Sequence, residues 1–212
     1  MLTLKREEVV VERPFTHPDH IFVDRAQICL LINDLCRQLE AIPLNKTNTS
    51  VRYFPHEANW QKRLIIPNPS RFYEPRPFTI VGFLGRKRLN IPVALSQEIN
   101  TIGQSLIANF SRFPAVLAYH TQLLVDELNY ANLVVLDNEE AIQKWRNFTP
   151  HPYATDVFSP KFYDYVRIYN GRLPSGGLLN PHLLQLHRVK YWDYRAQPTW
   201  HAIRPLTVQE RA

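Results

Sequence analysis

Between residues 78 and 173 the apolar pattern changes period in a fixed order, and that order limits the folds open to the chain. Phe78-Thr-Ile-Val-Gly-Phe-Leu-Gly85 has the composition of a buried strand. Leu95, Ile99, Ile102, Leu106 and Phe110 then recur at helical spacing, and Pro114 stops the run. Residues 115–125 and 130–136 read as a second and a third strand, with a turn at Asp126-Glu-Leu-Asn129 between them. Asp137 and Glu140 have the spacing of a capping box and open a helix carrying Ala141, Ile142 and Trp145. A short helical piece at 153–158 precedes a last strand at 165–169. Strand, helix, strand, strand, helix, strand is the order of a ferredoxin-like α+β core (βαββαβ).

The flanks read as additions to that core. Residues 1–77 form an N-terminal extension. Val9-Val-Val11 suggests a short strand, and Asp24 with Gln27 has capping-box spacing. Ile28, Ile32, Leu35, Leu39 and Ile42 give a helix over 25–41 that Pro43 ends. Residues 43–77 hold six prolines and no glycine, which predicts a stiff, docked arm with one short strand at 62–66. In 174–212, the Gly176-Gly177 turn precedes two stretches, 183–194 and 200–206, that read as a C-terminal hairpin across Arg195-Ala-Gln-Pro198.

Composition excludes several functions. Two cysteines, seven apart on the helix 25–41, are too few for a disulfide scaffold and too far apart to pair with each other. No apolar run approaches the ~18 residues of a membrane span, and the N-terminus carries no apolar leader, so a cytoplasmic protein with no membrane contact is expected. Gly-x-Gly-x-x-Gly, Walker and Gly-x-Ser-x-Gly sequences are absent, so no cofactor is expected. Neither His17/His20 nor His182/His187 has the spacing and third ligand of a metal site, so no metal is expected. The net charge of +6 is uneven: residues 61–95 and 161–212 are basic and flank an acidic middle. Either a polyanion patch or a solvated face would account for this. The tightest cluster, Arg86-Lys87-Arg88, is only three long and has no nucleic-acid motif beside it, so nucleic acid is not the expected partner.

Asn132-Leu-Val-Val-Leu-Asp-Asn-Glu-Glu-Ala-Ile-Gln-Lys-Trp-Arg-Asn-Phe-Thr-Pro-His151, followed by Phe158-Ser-Pro-Lys-Phe162, resembles the third strand, second helix and final connection of the antibiotic-biosynthesis-monooxygenase family of dimeric α+β barrels. The resemblance covers about residues 78–173. Leu136 and Trp145 stand where family members carry Trp and His. The resemblance implies a homodimer whose two sheets close face to face into a barrel. It also implies a small hydrophobic ligand between sheet and helices, and cofactor-independent oxygenase chemistry in some members.

The residues suggest where such chemistry would lie. His120 and Gln122 share one strand face, and a neutral imidazole there is a candidate general base. His151 sits between two prolines, and the resemblance puts it near the barrel mouth. Asn132 and Arg167 are polar positions in apolar strands, and Arg167 suits a carboxylate, from a ligand or from Asp164. Trp145 and Tyr163 would supply aromatic walls. The expected function is binding of a small apolar or aromatic molecule between sheet and helices, with His120 or His151 as the base in a monooxygenase-like enzyme. The alternative is a non-catalytic structural or regulatory homodimer with a side-chain-filled barrel. A ligand-sized hollow lined by these residues would decide between them.

Overall fold

The computed structural model describes residues 1–42, 50–55, 61–124, 126, 128–147 and 151–206. The strands are β1 (Leu2–Thr3), β2 (Ser50–Pro55), β3 (Gln61–Ile66), β4 (Phe78–Lys87), β5 (Val116–Leu123), β6 (Asn129–Leu136), β7 (Tyr163–Leu173), β8 (Gln185–Asp193) and β9 (Trp200–Pro205). The helices are α1 (His20–Glu40), α2 (Val93–Asn109), α3 (Glu140–Arg146) and α4 (Ser159–Phe162), with a π-helical turn at Tyr153–Phe158 leading into α4. Among the described residues these nine strands join one open sheet in the order β1-β9-β8-β7-β4-β6-β5-β3-β2. Only the β1–β9 pair is parallel. The chain is therefore α+β, and no helix among the described residues is long and apolar enough to cross a membrane.

The strands and helices expected in 78–173 are present, and their four strands are central and antiparallel in the order β7-β4-β6-β5. The flanks differ more from the sequence reading. Residues 9–11 form no strand, and the N-terminal strand is instead Leu2–Thr3 beside β9. The 43–77 segment is not simply an arm, because β2 and β3 pair with each other and β3 continues the sheet past β5. Pattern reading missed β2 because its residues show neither clean alternation nor flanking glycines. The C-terminal hairpin forms as β8 and β9.

Alternation along each strand sends side chains to two faces, and different helices cover them. One face carries Ile80, Leu84, Leu133, Val135 and Ala118, which pack against Ile28, Leu31, Ile32 and Leu35 of α1. The opposite face carries Val134, Leu136, Val81 and Tyr119 under Leu106, Phe110, Ala141 and Trp145 of the α2–α3 region. Farther along it, Phe83, Tyr163 and Val166 pack with Phe158 and Phe162. The helices of 78–173 thus lie on one side. The N-terminal helix occupies the other side, the face through which a sheet-to-sheet barrel would close.

Helix α1 begins a turn earlier than its periodicity indicated. Asp24, expected as its cap, is a buried residue within the helix. Its carboxylate accepts bonds from Arg167 Nε at 2.5 Å, Arg167 Nη2 at 2.8 Å and the Tyr169 hydroxyl at 2.6 Å. The partner of Arg167 is therefore Asp24, not a ligand and not Asp164. Burial weighs against the guanidinium's charge, but the bond and field of Asp24 outweigh it and hold Arg167 firmly protonated. Beside this pair α1 comes so close to β4 that a methyl group on Gly82 would collide with Ile28. Arg204, fully buried, donates to the carbonyls of Arg6, Glu8 and Thr16 at 2.5, 2.6 and 2.8 Å, and so ties the N-terminal segment to β9.

The second expected cap is also replaced. Asn138 Oδ1 accepts the Ala141 amide at 3.0 Å to start α3, while Asp137 pairs with Arg71 at 3.0 Å and with Arg76.

Removing one member of a buried ion pair strands the other. Asp24→Ala is expected to cost about 3–5 kcal/mol in urea denaturation, and the double variant Asp24→Leu/Arg167→Leu to regain most of it. A single-variant loss below about 1 kcal/mol would contradict this.

Candidate functional site: the groove between α1 and the β3–β5 edge

The polar face of α1 and the ends of β3 and β5 enclose a groove of about 580 Å³, within the size range of small-molecule sites. Gln27, Leu30, Asn33, Asp34 and Arg37 come from one side of α1, as a helical repeat of three to four residues requires. Lys62 on β3, Gln122 and Leu124 at the end of β5, and Asp126 in the following turn form the other wall. Lys62 pairs with Asp34 across the groove, and Arg37 Nη1 lies 4.0 Å from Asp34. Asp126 accepts the Leu128 and Asn129 amides at 3.0 and 2.8 Å, which rigidifies the rim.

His120 lies two residues before Gln122 on the same strand face and is fully buried. Its Nδ1 is 3.2 Å from the Leu31 carbonyl of α1. A carbonyl only accepts, so Nδ1 carries the proton and Nε2 presents a lone pair. Nε2 is buried and has no hydrogen-bond partner among the described residues. Burial pushes the imidazole pKa down to about 4; the Leu31 bond and the Asp34 field raise it, and the Lys62 field lowers it. At neutral pH the ring is uncharged.

The other expected site residues do not meet this pair. Arg167 shares the α1 face but is consumed by Asp24. Asn132 projects to the opposite face, opposite Phe83 and Thr121, and its Oδ1 is buried with no hydrogen-bond partner among the described residues. Trp145 is core: it stacks with Phe110 at 5.7 Å, and the His151 ring packs against it edge-on at 5.5 Å. Burial, then the field of Arg146, pushes the His151 pKa down to about 4. Tyr163 fills the space between Phe83, Tyr130 and Phe162, and burial raises its phenol pKa well above the ordinary value. The seven expected residues are therefore split between the two sides of the sheet: His120 and Gln122 share the α1 side, while Trp145 and His151 meet in the packing on the other. Asp34, Arg37 and Lys62 were not anticipated. The polar spacing of Gln27, Asn33, Asp34 and Arg37 was visible in the sequence, but not the strand edge that α1 would lie beside. No group of three or more His, Cys, Asp or Glu side chains with metal-site geometry occurs among the described residues.

No family model, curated protein or solved structure matches this chain.

The pKa of His120 makes folding sensitive to acid. An unfolded imidazole takes its proton near pH 6.5, whereas this one takes it near pH 4. Between those values the unfolded chain binds more protons, so the stabilisation is complete above pH 6.5 and drains away as pH falls toward 4. His120 alone accounts for ~3 kcal/mol of that loss, and His151 shifts in the same sense. His120→Leu is expected to remove roughly half of the combined loss, measured as urea midpoints at pH 7 and 4.5. An unchanged pH dependence would contradict the burial of a neutral His120.

Proposed function

We propose that the protein is a small-molecule-binding protein whose ligand occupies the groove between α1 and the β3–β5 edge. The observation that carries this reading is a groove of ligand size whose walls bring Gln27, Asn33, Arg37 and Gln122 together. Gln122 and Arg37 offer donors to a carboxylate or carbonyl, and Leu30 and Leu124 offer apolar contact. The ligand is therefore amphipathic, not the purely apolar or aromatic molecule that the sequence suggested.

His120 lies fully buried behind the groove wall, and it does not suit catalysis. A general base works best with a pKa near the operating pH, and a pKa of about 4 makes the imidazole a weak proton acceptor at pH 7. The monooxygenase-like reading also loses the convergence of Asn132, His151 and Arg167 on one hollow. At the level of fold, we read residues 78–173 as a ferredoxin-like unit. The antiparallel order β7-β4-β6-β5, with α2 and α3 on one face, supports this.

A ligand-detected NMR screen of small hydroxy and amino carboxylates tests the reading. Binders are expected to lose about tenfold in affinity in Gln122→Ala and in Arg37→Ala, the worth of one hydrogen bond from a lining side chain. Binding that both variants leave unchanged would contradict it.

The homodimer reading has its own observation. Phe22, Val23 and Ala26 lie along the outer side of α1, and Phe22 is 76% and Val23 67% exposed. Because α1 covers the sheet, a second copy would meet this helix and not the sheet. Sedimentation equilibrium is expected to give a dimer that Phe22→Asp converts to monomer. A wild-type monomer at 100 µM, roughly the upper range for a weak specific contact, would contradict it.

A further inference from the structure

The positive charge of the chain has a different destination from the one its sequence clusters suggest. Arg88, in the tightest basic run, turns inward and donates to the carbonyls of Tyr163, Pro160 and Tyr194 at 3.2, 3.0 and 3.1 Å. Arg71 and Arg76 are taken by Asp137 and Glu74. Arg13 and Arg195 are taken by Asp193, and Arg167 by Asp24.

Arg146, Arg188 and Lys190 are different. None of them forms an ion pair among the described residues. They gather on the sheet face opposite α1. Arg188 and Lys190 are alternate residues of β8, facing Asn170 and Ile168 of β7, and the field of Arg146, the last residue of α3, reaches Lys190. The neighbours whose fields reach Lys190 are Arg188 and Arg146, with no carboxylate among them, and burial and both cations lower its pKa. Arg188 is held in place by its Nε bond to Asn170 Oδ1 at 3.1 Å. The next residue on the same side of β8 is Trp192, half-buried against the Phe158, Phe162 and Tyr194 cluster, and its cross-strand neighbour on β9 is the exposed His201. Over this part of the sheet Arg188 and His201 are open to solvent, whereas the same face of β4, β6 and β7 is packed under the helices.

Like charges whose fields meet at Lys190, none of them in an ion pair among the described residues, repel one another, and an anionic partner relieves that cost. Cations in a row, continued by the partly exposed Trp192 ring and the exposed His201 ring, are the chemistry that holds a single strand of nucleic acid: cations on the phosphates, rings against the bases. We infer that the β8–β9 face, through Arg146, Arg188, Lys190, Trp192 and His201, binds single-stranded nucleic acid. This surface is on the other side of the sheet from the small-molecule groove and is independent of it.

Fluorescence anisotropy of the full chain with a 15-nucleotide oligouridylate, titrated with salt, tests the inference. Three phosphates neutralised on a single strand give a log–log slope near −2, so affinity is expected to fall roughly 20-fold from 50 to 200 mM salt. Arg188→Ala or Lys190→Ala should weaken binding at 50 mM salt and cut that fall to roughly 7-fold, with the melting temperature unchanged. Arg37→Ala, in the groove on the opposite face, should leave oligonucleotide binding as it was. Salt-independent binding, or binding that Arg188→Ala and Lys190→Ala do not affect, overturns the inference. So does displacement of the oligonucleotide by equimolar inorganic phosphate, which would mean a small-anion site, or equally tight binding of a poly-glutamate peptide, which would mean an acidic protein partner.

Discussion

The bidentate contact between Asp24 of α1 and Arg167 of β7, closed by the Tyr169 hydroxyl, is the interaction on which the rest of the molecule depends. It is an ion pair set inside an apolar contact, so it cannot be exchanged for water without stranding a charge. It therefore fixes where α1 sits along the sheet more strictly than the apolar residues around it could, since Ile28, Leu31, Ile32 and Leu35 would tolerate small shifts. The close pass of Ile28 over Gly82 and the hold of Leu31 on His120 both follow from that placement. With α1 placed, the sheet has helices on both faces and the polar side of α1 stands beside the ends of β3 and β5. The groove is a consequence of this docking, and so is the neutral His120.

Much of the central sheet was legible in the sequence because its signals are local. The Phe78 strand, the Leu95 to Phe110 stripe, the two strands around Asp126 and the Tyr165 strand all appear close to where their periodicity put them. The signals that misled were those shared by two physical roles. Asp24 and Asp137 both sat at capping-box spacing, yet each carboxylate is used in a long-range ion pair. A carboxylate near a helix start serves either purpose, and sequence spacing does not distinguish them. Strand β2 was hidden because its pairing with β3 is long-range information.

The site was less legible than the fold for a related reason. Alternation correctly put His120 and Gln122 on one strand face, but it could not say which helix would cover that face. Seven polar or aromatic residues looked like one constellation only because a single hollow between sheet and helices was assumed. In the folded chain the sheet separates them: Trp145, His151 and Tyr163 become packing on one side, and Arg167 becomes the counter-ion of α1 on the other. Charge behaved similarly. The sequence gathers Arg86, Lys87 and Arg88, yet three cations from α3 and β8, far apart in the chain, form the uncompensated cluster.

The account stands or falls on α1 being part of the same cooperative unit as the sheet. Native-state amide hydrogen exchange measures this residue by residue. The amides of Ile28, Leu31, Ile32 and Leu35 are expected to open with the same free energy as those of Ile80 and Tyr169, in the strands beneath them. Opening of α1 several kcal/mol more easily than the strands, as a helix that detaches by itself, would contradict the account.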